Sequence, residues 1–265
     1  MRLRRPSSLS AALLGSLLLI AIAAIPAMAP LACPAGPLVR AGPALAPPSL
    51  EYLAGTDDIG RSVFCMTAYG LKTSLVIGAC SGALALTLGI LVGIFAGVIG
   101  GWPDLLMMRL TEVVQTVPRL FLAILASALF EPKIIGLVMV LGLTSWGILA
   151  RVARAEAISL STREFVLAAY ALGLSPLRVI SRHVLPNLYR PFLATAGPTV
   201  AGAILAEAAL AYVGLSDPNS VSLGRMIANA YPFLGLAWWM GVTPIGALIA
   251  VALSFLLLSE PGEDR

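Results

Sequence analysis

The sequence predicts an all-α integral membrane protein with about six transmembrane helices, and three observations lead there. Of its 265 residues, 59% are hydrophobic and 11% charged, with mean hydropathy +0.95; soluble domains carry roughly 25% charged residues. Apolar runs recur that approach the roughly 20 residues needed to cross a hydrocarbon core. The arginines are grouped, three before the first run and six between the fourth and fifth. The length is one domain's worth of chain. The net charge of +4 comes without a basic stripe interleaved with aromatics, so nucleic acid is excluded as a partner. Cys33, Cys65 and Cys80 lack metal-ligand spacing.

The elements follow in order. Residues 1–8 hold Arg2, Arg4 and Arg5 and precede a first span over 9–30. Basic residues stay on the cytoplasmic side, which places the N-terminus inside. The same run, ending at Ala27-Met28-Ala29, also has the shape of a secretory signal peptide; cleavage there would leave five spans. Residues 31–72 form an outer segment. Its first part, 31–50, is rich in Pro and Ala and reads as an extended linker. A turn at 55–64 then leads into an amphipathic helix, with Asp57 or Asp58 placed to cap it.

A core over 73–258 holds the remaining spans: Thr73–Ile99, Val113–Phe130 with Arg119, Ile134–Ala150, Pro191–Val213 with Glu207, and Leu236–Leu258. The intervening 151–190 loop carries Arg151, Arg154, Arg163, Arg178, Arg182 and Arg190, and six spans place it in the cytoplasm beside both termini (1–8 and 259–265). The outward segments 31–72, 131–133 and 214–235 are poorer in basic residues.

Gly89, Gly93, Gly97 and Gly101 recur every fourth residue, and Gly78 and Gly82 repeat the spacing earlier. One glycine per turn makes a groove into which a neighbouring helix fits. Ionisable groups inside spans are costly and mark function by default. Glu207 either lines a translocation path or caps an interrupted helix. Glu112 and Arg119, seven residues apart on one predicted helix face, either serve the path or snorkel to the cytoplasmic surface.

No GxxxxGK[ST] loop occurs, and no nucleophile constellation accompanies the single histidine, His183. The chain therefore reads as a transport subunit and not an enzyme, with no cofactor of its own. A secondary transporter would show internal symmetry, and none is visible. A scaffold that merely recruits a protein is the other rival.

Residues 163–187, REFVLAAYALGLSPLRVISRHVLPN, form a basic, water-facing elbow. Glu164–Leu172 is a helix whose paired alanines, Ala168 and Ala169, leave a shallow face. Gly173 ends it. Ser175 stands at the N-cap and Pro176 at the first position of a second helix running to about His183, which Pro186 stops. Two helices locked at a bend suit a grip on a soluble partner.

These residues resemble the EAA loop of ABC importer membrane subunits, in particular the second permease of the dipeptide, oligopeptide and nickel group. GTDDIGRSVF (55–64), GGWPDLLMMRLTEVVQTVP (100–118) and EAALAYVGL (207–215) are similar to other segments of that family, and the resemblance spans about 52–258. It implies the type I importer fold in a bacterial cytoplasmic (inner) membrane. It also implies a homologous second permease, one or two ATPase subunits that carry ATP and Mg, and an extracytoplasmic binding protein. Short peptides are the implied cargo, with nickel, haem or another small solute as alternatives.

Glu164, Ala168, Ala169, Leu172, Gly173, Ser175, Pro176, Leu177, Arg178 and Arg182 would form the ATPase-coupling loop. Gly55, Asp57, Asp58 and Arg61 would form the outer motif. The loop motif's leading glutamate falls on Leu167. In the divergent outer loop 214–226, Leu223 replaces the family's tryptophan, and the chain stops at SEPGEDR instead of a basic tail. Whether Cys33 and Cys65 pair is open.

Overall fold

The computed structural model describes residues 8–118, 121–125 and 133–259. Nine named α-helices lie among them: α1 (Ser8–Ala32), α2 (Val63–Ile99), α3 (Gly101–Thr116), α4 (Ile134–Ser161), α5 (Glu164–Ala171), α6 (Pro176–Val179), α7 (Tyr189–Tyr212), α8 (Leu223–Ala230) and α9 (Trp239–Leu258). The described residues hold no strand beyond two isolated bridges, Arg40–Arg61 and Thr56–Ser62. Five helices, α1, α2, α4, α7 and α9, are long and apolar enough to cross a membrane.

The expected third span, 113–130, is not one continuous helix. The ring of Pro118 drives the preceding residue out of helical geometry; α3 stops at Thr116 and Val117 is extended (φ −83°, ψ 128°). Residues 119–120 and 126–132, with Arg119, lie outside the described residues.

Other boundaries also shift. The expected amphipathic helix and second span are a single helix, α2, of 37 residues. At 1.5 Å per residue it runs about 55 Å, well beyond a core of about 30 Å. Its N-cap is Ser62, whose hydroxyl accepts from the Cys65 N–H, and neither Asp57 nor Asp58 caps it. α4 continues past Ala150 to Ser161, so the basic loop begins inside a helix.

Glycine sets the helix packing. A Cβ on Gly93 would meet the Ala150 carbonyl, the Ala153 Cβ and the Arg154 N–H of α4; one on Gly89 would meet Leu149, and one on Gly97 Ala157. The groove thus holds α4, and it makes the most extensive helix contact in the fold. Gly78 and Gly82 carry the stripe onto α7, facing Ile204 and Val200. Gly101 departs from the expected stripe. α2 ends at Ile99, and Gly100 and Gly101 (φ +65° and +62°) make a tight corner that side-chain-bearing residues rarely adopt. α1 packs its Gly15 against Leu257 and Leu258 of α9.

The segment expected as an extended linker is folded into a strap. Cys33 and Cys65 form a disulfide joining the end of α1 to the start of α2. Thr56, fully buried, donates to the Pro43 carbonyl and accepts from the Ala46 N–H. The Trp239 indole N–H donates to the Thr56 carbonyl at 3.1 Å, which ties the strap to α9.

Candidate functional site

The elbow stands at the end of the bundle opposite the strap. α5 closes with a complete Schellman motif: the Gly173 N–H bonds the Tyr170 carbonyl (2.9 Å) and the Leu174 N–H bonds that of Ala169 (3.2 Å). Gly173 takes φ +79° with nothing near its missing Cβ, so it is there for the turn and not for close packing. Ser175 is extended at the N-cap of α6 and Pro176 follows at its first turn, as expected, but the Ser175 hydroxyl makes no capping bond. The backbone closes the turn instead, the Arg178 and Val179 N–H groups both reaching the Ser175 carbonyl.

Pro186 does not stop the second helix. After Val179 the chain widens into a π-helical turn (Ile180–Val184), tightens into a 3-10 turn (Leu185–Leu188) and enters α7 directly. Proline lacks an N–H, and a change of winding tolerates that loss where a regular α-helix would not. The second arm of the elbow is therefore continuous with the span that carries Glu207.

One face of the elbow is anchored. Val166, Ala169, Val179, Ile180, Val184 and Leu188 are buried in a cluster with Ile94 of α2 and Ala157 of α4. The other face is bare: Leu167, Leu172 (81% exposed) and Leu177 (65% exposed) stand out, with Glu164, Ala168, Arg178 and Arg182 also exposed. The two alanines expected on one shallow face are split, Ala168 outward and Ala169 inward. His183 packs against the Phe165 ring at 6.3 Å. Apolar side chains ringed by cations, on a rigid base, make a surface suited to a protein partner.

The two polar span residues among the described residues, Glu207 and Glu112, do not converge. Glu207 is fully buried and accepts from the Ser74 hydroxyl of α2 at 2.9 Å, while its Oε1 has no partner among the described residues. It pins α7 to α2 and lines no open path in this conformation. Glu112 is exposed on α3 and pairs with Arg109 at 2.9 Å.

In the strap motif, Gly55 (φ +72°) lets the Trp239 indole approach its backbone. Asp57 is buried and fully used: Oδ1 accepts from the Ile59 and Arg61 N–H groups, and Oδ2 from Arg61 Nε at 2.6 Å. Asp58 is exposed.

Sequence reasoning missed one pair. Arg154 of α4 grips Asp104, in the first turn of α3, through Nε (2.5 Å) and Nη2 (2.6 Å). This hydrogen bonding holds the Asp104 carboxyl below its usual range. A separation of 50 residues hid it; the only signal was an acid three residues after the Gly100-Gly101 corner.

Residues 89–259 match the family described as "Binding-protein-dependent transport system inner membrane component". The chain is 31% identical over 219 residues to the oligopeptide transport system permease protein OppC of Bacillus subtilis (strain 168), covering 82% of this chain and 72% of that protein. It is 34% identical over 222 residues to a putative peptide transport system permease protein of Brucella suis biovar 1 (82% and 74%). It is 31% identical over 218 residues to the dipeptide transport system permease protein DppC of Alkalihalophilus pseudofirmus (82% and 72%). Among solved structures, inward facing conformations of the MetNI methionine ABC transporter share the fold, with TM-score 0.60 at 18% identity over 71% of this chain and 91% of that one. The chain belongs to the binding-protein-dependent inner membrane component family, as a permease subunit of a type I ABC importer. It is thus a multi-pass bacterial membrane protein whose family works with ATPase, binding-protein and second-permease partners.

Proposed function

We propose that this chain forms half of the translocation pathway for short peptides, paired with a homologous permease. An extracytoplasmic binding protein delivers the peptide and one or two ATPase subunits drive transport. The chain has no bond chemistry of its own; ATP and Mg belong to the ATPases. Both termini and the elbow face the cytoplasm and the strap faces outward, in keeping with the grouping of arginines. The peptide assignment follows the relatives, which are named as oligopeptide and dipeptide permeases. Retention of α1 as a span is supported by its packing against α9.

The observation that carries the mechanism is the elbow. α5 and α6 are locked at Gly173, anchored on one face, bare on the other and continuous with α7. Leu172, Leu177 and Ala168 seat in a groove of the ATPase, with Arg178 and Arg182 at the rim and Glu164 at the N-terminus of α5, where a carboxylate favours the helix dipole. Closure of the ATPases on ATP pushes the elbow, and α7 carries the push toward α8 and the strap. The bundle then switches between two packed states that open inward and outward in turn.

The test is purification of the tagged chain from native membranes in mild detergent, followed by identification of what accompanies it. A homologous permease and an ATPase are expected; recovery of the chain alone in several detergents would overturn the importer assembly.

A further inference from the structure

Glu207 sits where three helices meet. It lies on α7, the span that continues the elbow, about 27 Å from the start of that helix at 1.5 Å per residue. Across from it, Ser74 of α2 donates its hydroxyl to Oε2 at 2.9 Å. Among the described residues this is the one side-chain hydrogen bond between two spanning helices. The third helix is α8, whose first turn is wedged over both others. A Cβ on Gly224 would strike the Ala208 carbonyl of α7, and one on Gly70 of α2 would meet Leu223. Ser222, at the N-cap of α8, accepts a long bond from the Arg225 N–H at 3.4 Å and keeps its own hydroxyl proton to give. That hydroxyl approaches the Glu207 carboxyl. Ser74, Glu207 and Ser222 are all fully buried.

The hydrogen bonds at this junction do not balance. A carboxylate has room for about four, and the Glu207 Oε1 has no partner among the described residues. No arginine or lysine pairs with the carboxyl among them. An unfilled acceptor in a dry interior is costly and asks for a reason. An apolar side chain of similar size could hold the three helices together without that cost. The spare oxygen faces a junction with a donor, and the donor stands on a helix packed directly on the Glu207 turn of α7.

We propose that Glu207 is a positioning residue of the transport cycle, a clasp fixed to α2 through Ser74 that closes on Ser222 when the elbow's push drives α7 and α8 together. Closing fills Oε1 and makes α8 follow α7; opening releases it, which gives the two packed states different bonds at one joint. The proposal rests on the coupling reading above and names the residue through which a cytoplasmic push reaches the outer helix.

Two readouts separate the clasp from that reading. The first is deuterium exchange of the α8 backbone amides, Leu223–Ala230, in the full chain in lipid nanodiscs. Glu207→Leu is expected to speed it about tenfold, the worth of one hydrogen bond to a charged group, with exchange at the α2–α4 contact unchanged. Glu207→Gln, whose amide can accept from Ser74 and donate to Ser222, should keep the parent rate. The second is peptide uptake per ATP hydrolysed by the whole complex with its binding protein in proteoliposomes. Glu207→Leu and Ser222→Ala should each lower it about tenfold while assembly and ATP hydrolysis persist, and Glu207→Gln and Ser222→Thr should stay within about twofold of the parent. Should Glu207→Leu fail to assemble, the Ser222→Ala and Ser222→Thr pair decides. Unchanged α8 exchange in Glu207→Leu, undiminished uptake per ATP in Glu207→Leu or Ser222→Ala, or a Glu207→Gln as poor as Glu207→Leu would overturn the clasp and leave the transport reading standing. A parent complex without ATP-driven uptake would overturn the transport reading, and the α8 exchange would then decide the clasp alone.

Discussion

Replacing Gly93 by alanine adds one methyl group where α2 and α4 touch. The new Cβ meets the Ala150 carbonyl, the Ala153 Cβ at 2.5 Å and the Arg154 nitrogen at 2.9 Å. Ordinary carbon contact begins at roughly 3.5 Å, so α4 must withdraw by about 1 Å, and a gap of that size forfeits a quarter to a half of each dispersion contact along the interface. Overpacking of this kind costs about 1–3 kcal/mol, more than the gain of up to about 1 kcal/mol from exchanging glycine for alanine in a helix. Gly202, in α7, has nothing within 4 Å of its missing Cβ, so there the propensity gain stands alone. The same chemical change is therefore expected to have opposite signs. In detergent, the melting temperature of the isolated chain should fall by several degrees for Gly93→Ala, and stay level or rise for Gly202→Ala. An unchanged Gly93→Ala, or a Gly202→Ala that loses as much, would refute the claim that the glycine stripe exists for close helix approach.

Four further outcomes are expected. Gly173→Pro cannot take φ +79°; it should reach the membrane yet uncouple ATP hydrolysis from uptake, and normal uptake would remove the coupling role. Arg154→Asp and Asp104→Arg should each lower uptake per ATP hydrolysed, with the double swap recovering much of it; a double swap as poor as the singles would deny the pairing. Because Arg154 depresses the Asp104 pKa, the pair's contribution to stability is complete above the ordinary value of 3.8 and is lost as pH falls through the lower folded value. The melting-temperature gap between the parent and Asp104→Asn should thus hold from pH 8 to about 5 and close below about 4. Replacing Cys33 and Cys65 by serine frees a crosslink spanning 32 residues, with a loss of about 4 kcal/mol on loop-closure entropy, read as a lower melting temperature that matches the parent under reductant.

Five of the six expected spans and the bend of the elbow were legible because their signals are local. Apolar runs, the Gly173 stop and the Ser175-Pro176 start each act over a few residues, and helix geometry does the rest. The Gly89–Gly97 groove was legible for the same reason, since its period is that of the helix. Gly101 fell outside because two adjacent glycines favour a corner over a helix, a local competition the spacing alone does not decide. What depends on distant partners was hidden. Asp104 and Arg154 lie 50 residues apart. The Ala168–Ala169 pair splits between faces because α5 lies flat against α2 and α4, which only the packing reveals. Asp57 looked like a helix cap, yet its carboxylate goes to Arg61 and Ile59, leaving Ser62 to cap α2. Leu223, which the resemblance set where a tryptophan was expected, is fully buried at the start of α8, over Gly70 of α2.

The central claim is that ATP hydrolysed by a partner moves peptides through this chain by way of the bare face of the elbow. The most direct measurement is uptake of a radiolabelled tripeptide into proteoliposomes that contain the purified complex and its binding protein, for the parent and for Leu172→Asp. ATP-dependent uptake by the parent, and its loss in Leu172→Asp together with release of the ATPase, is the predicted result. Peptide uptake without ATP, or undiminished uptake with a charge at Leu172, would contradict it.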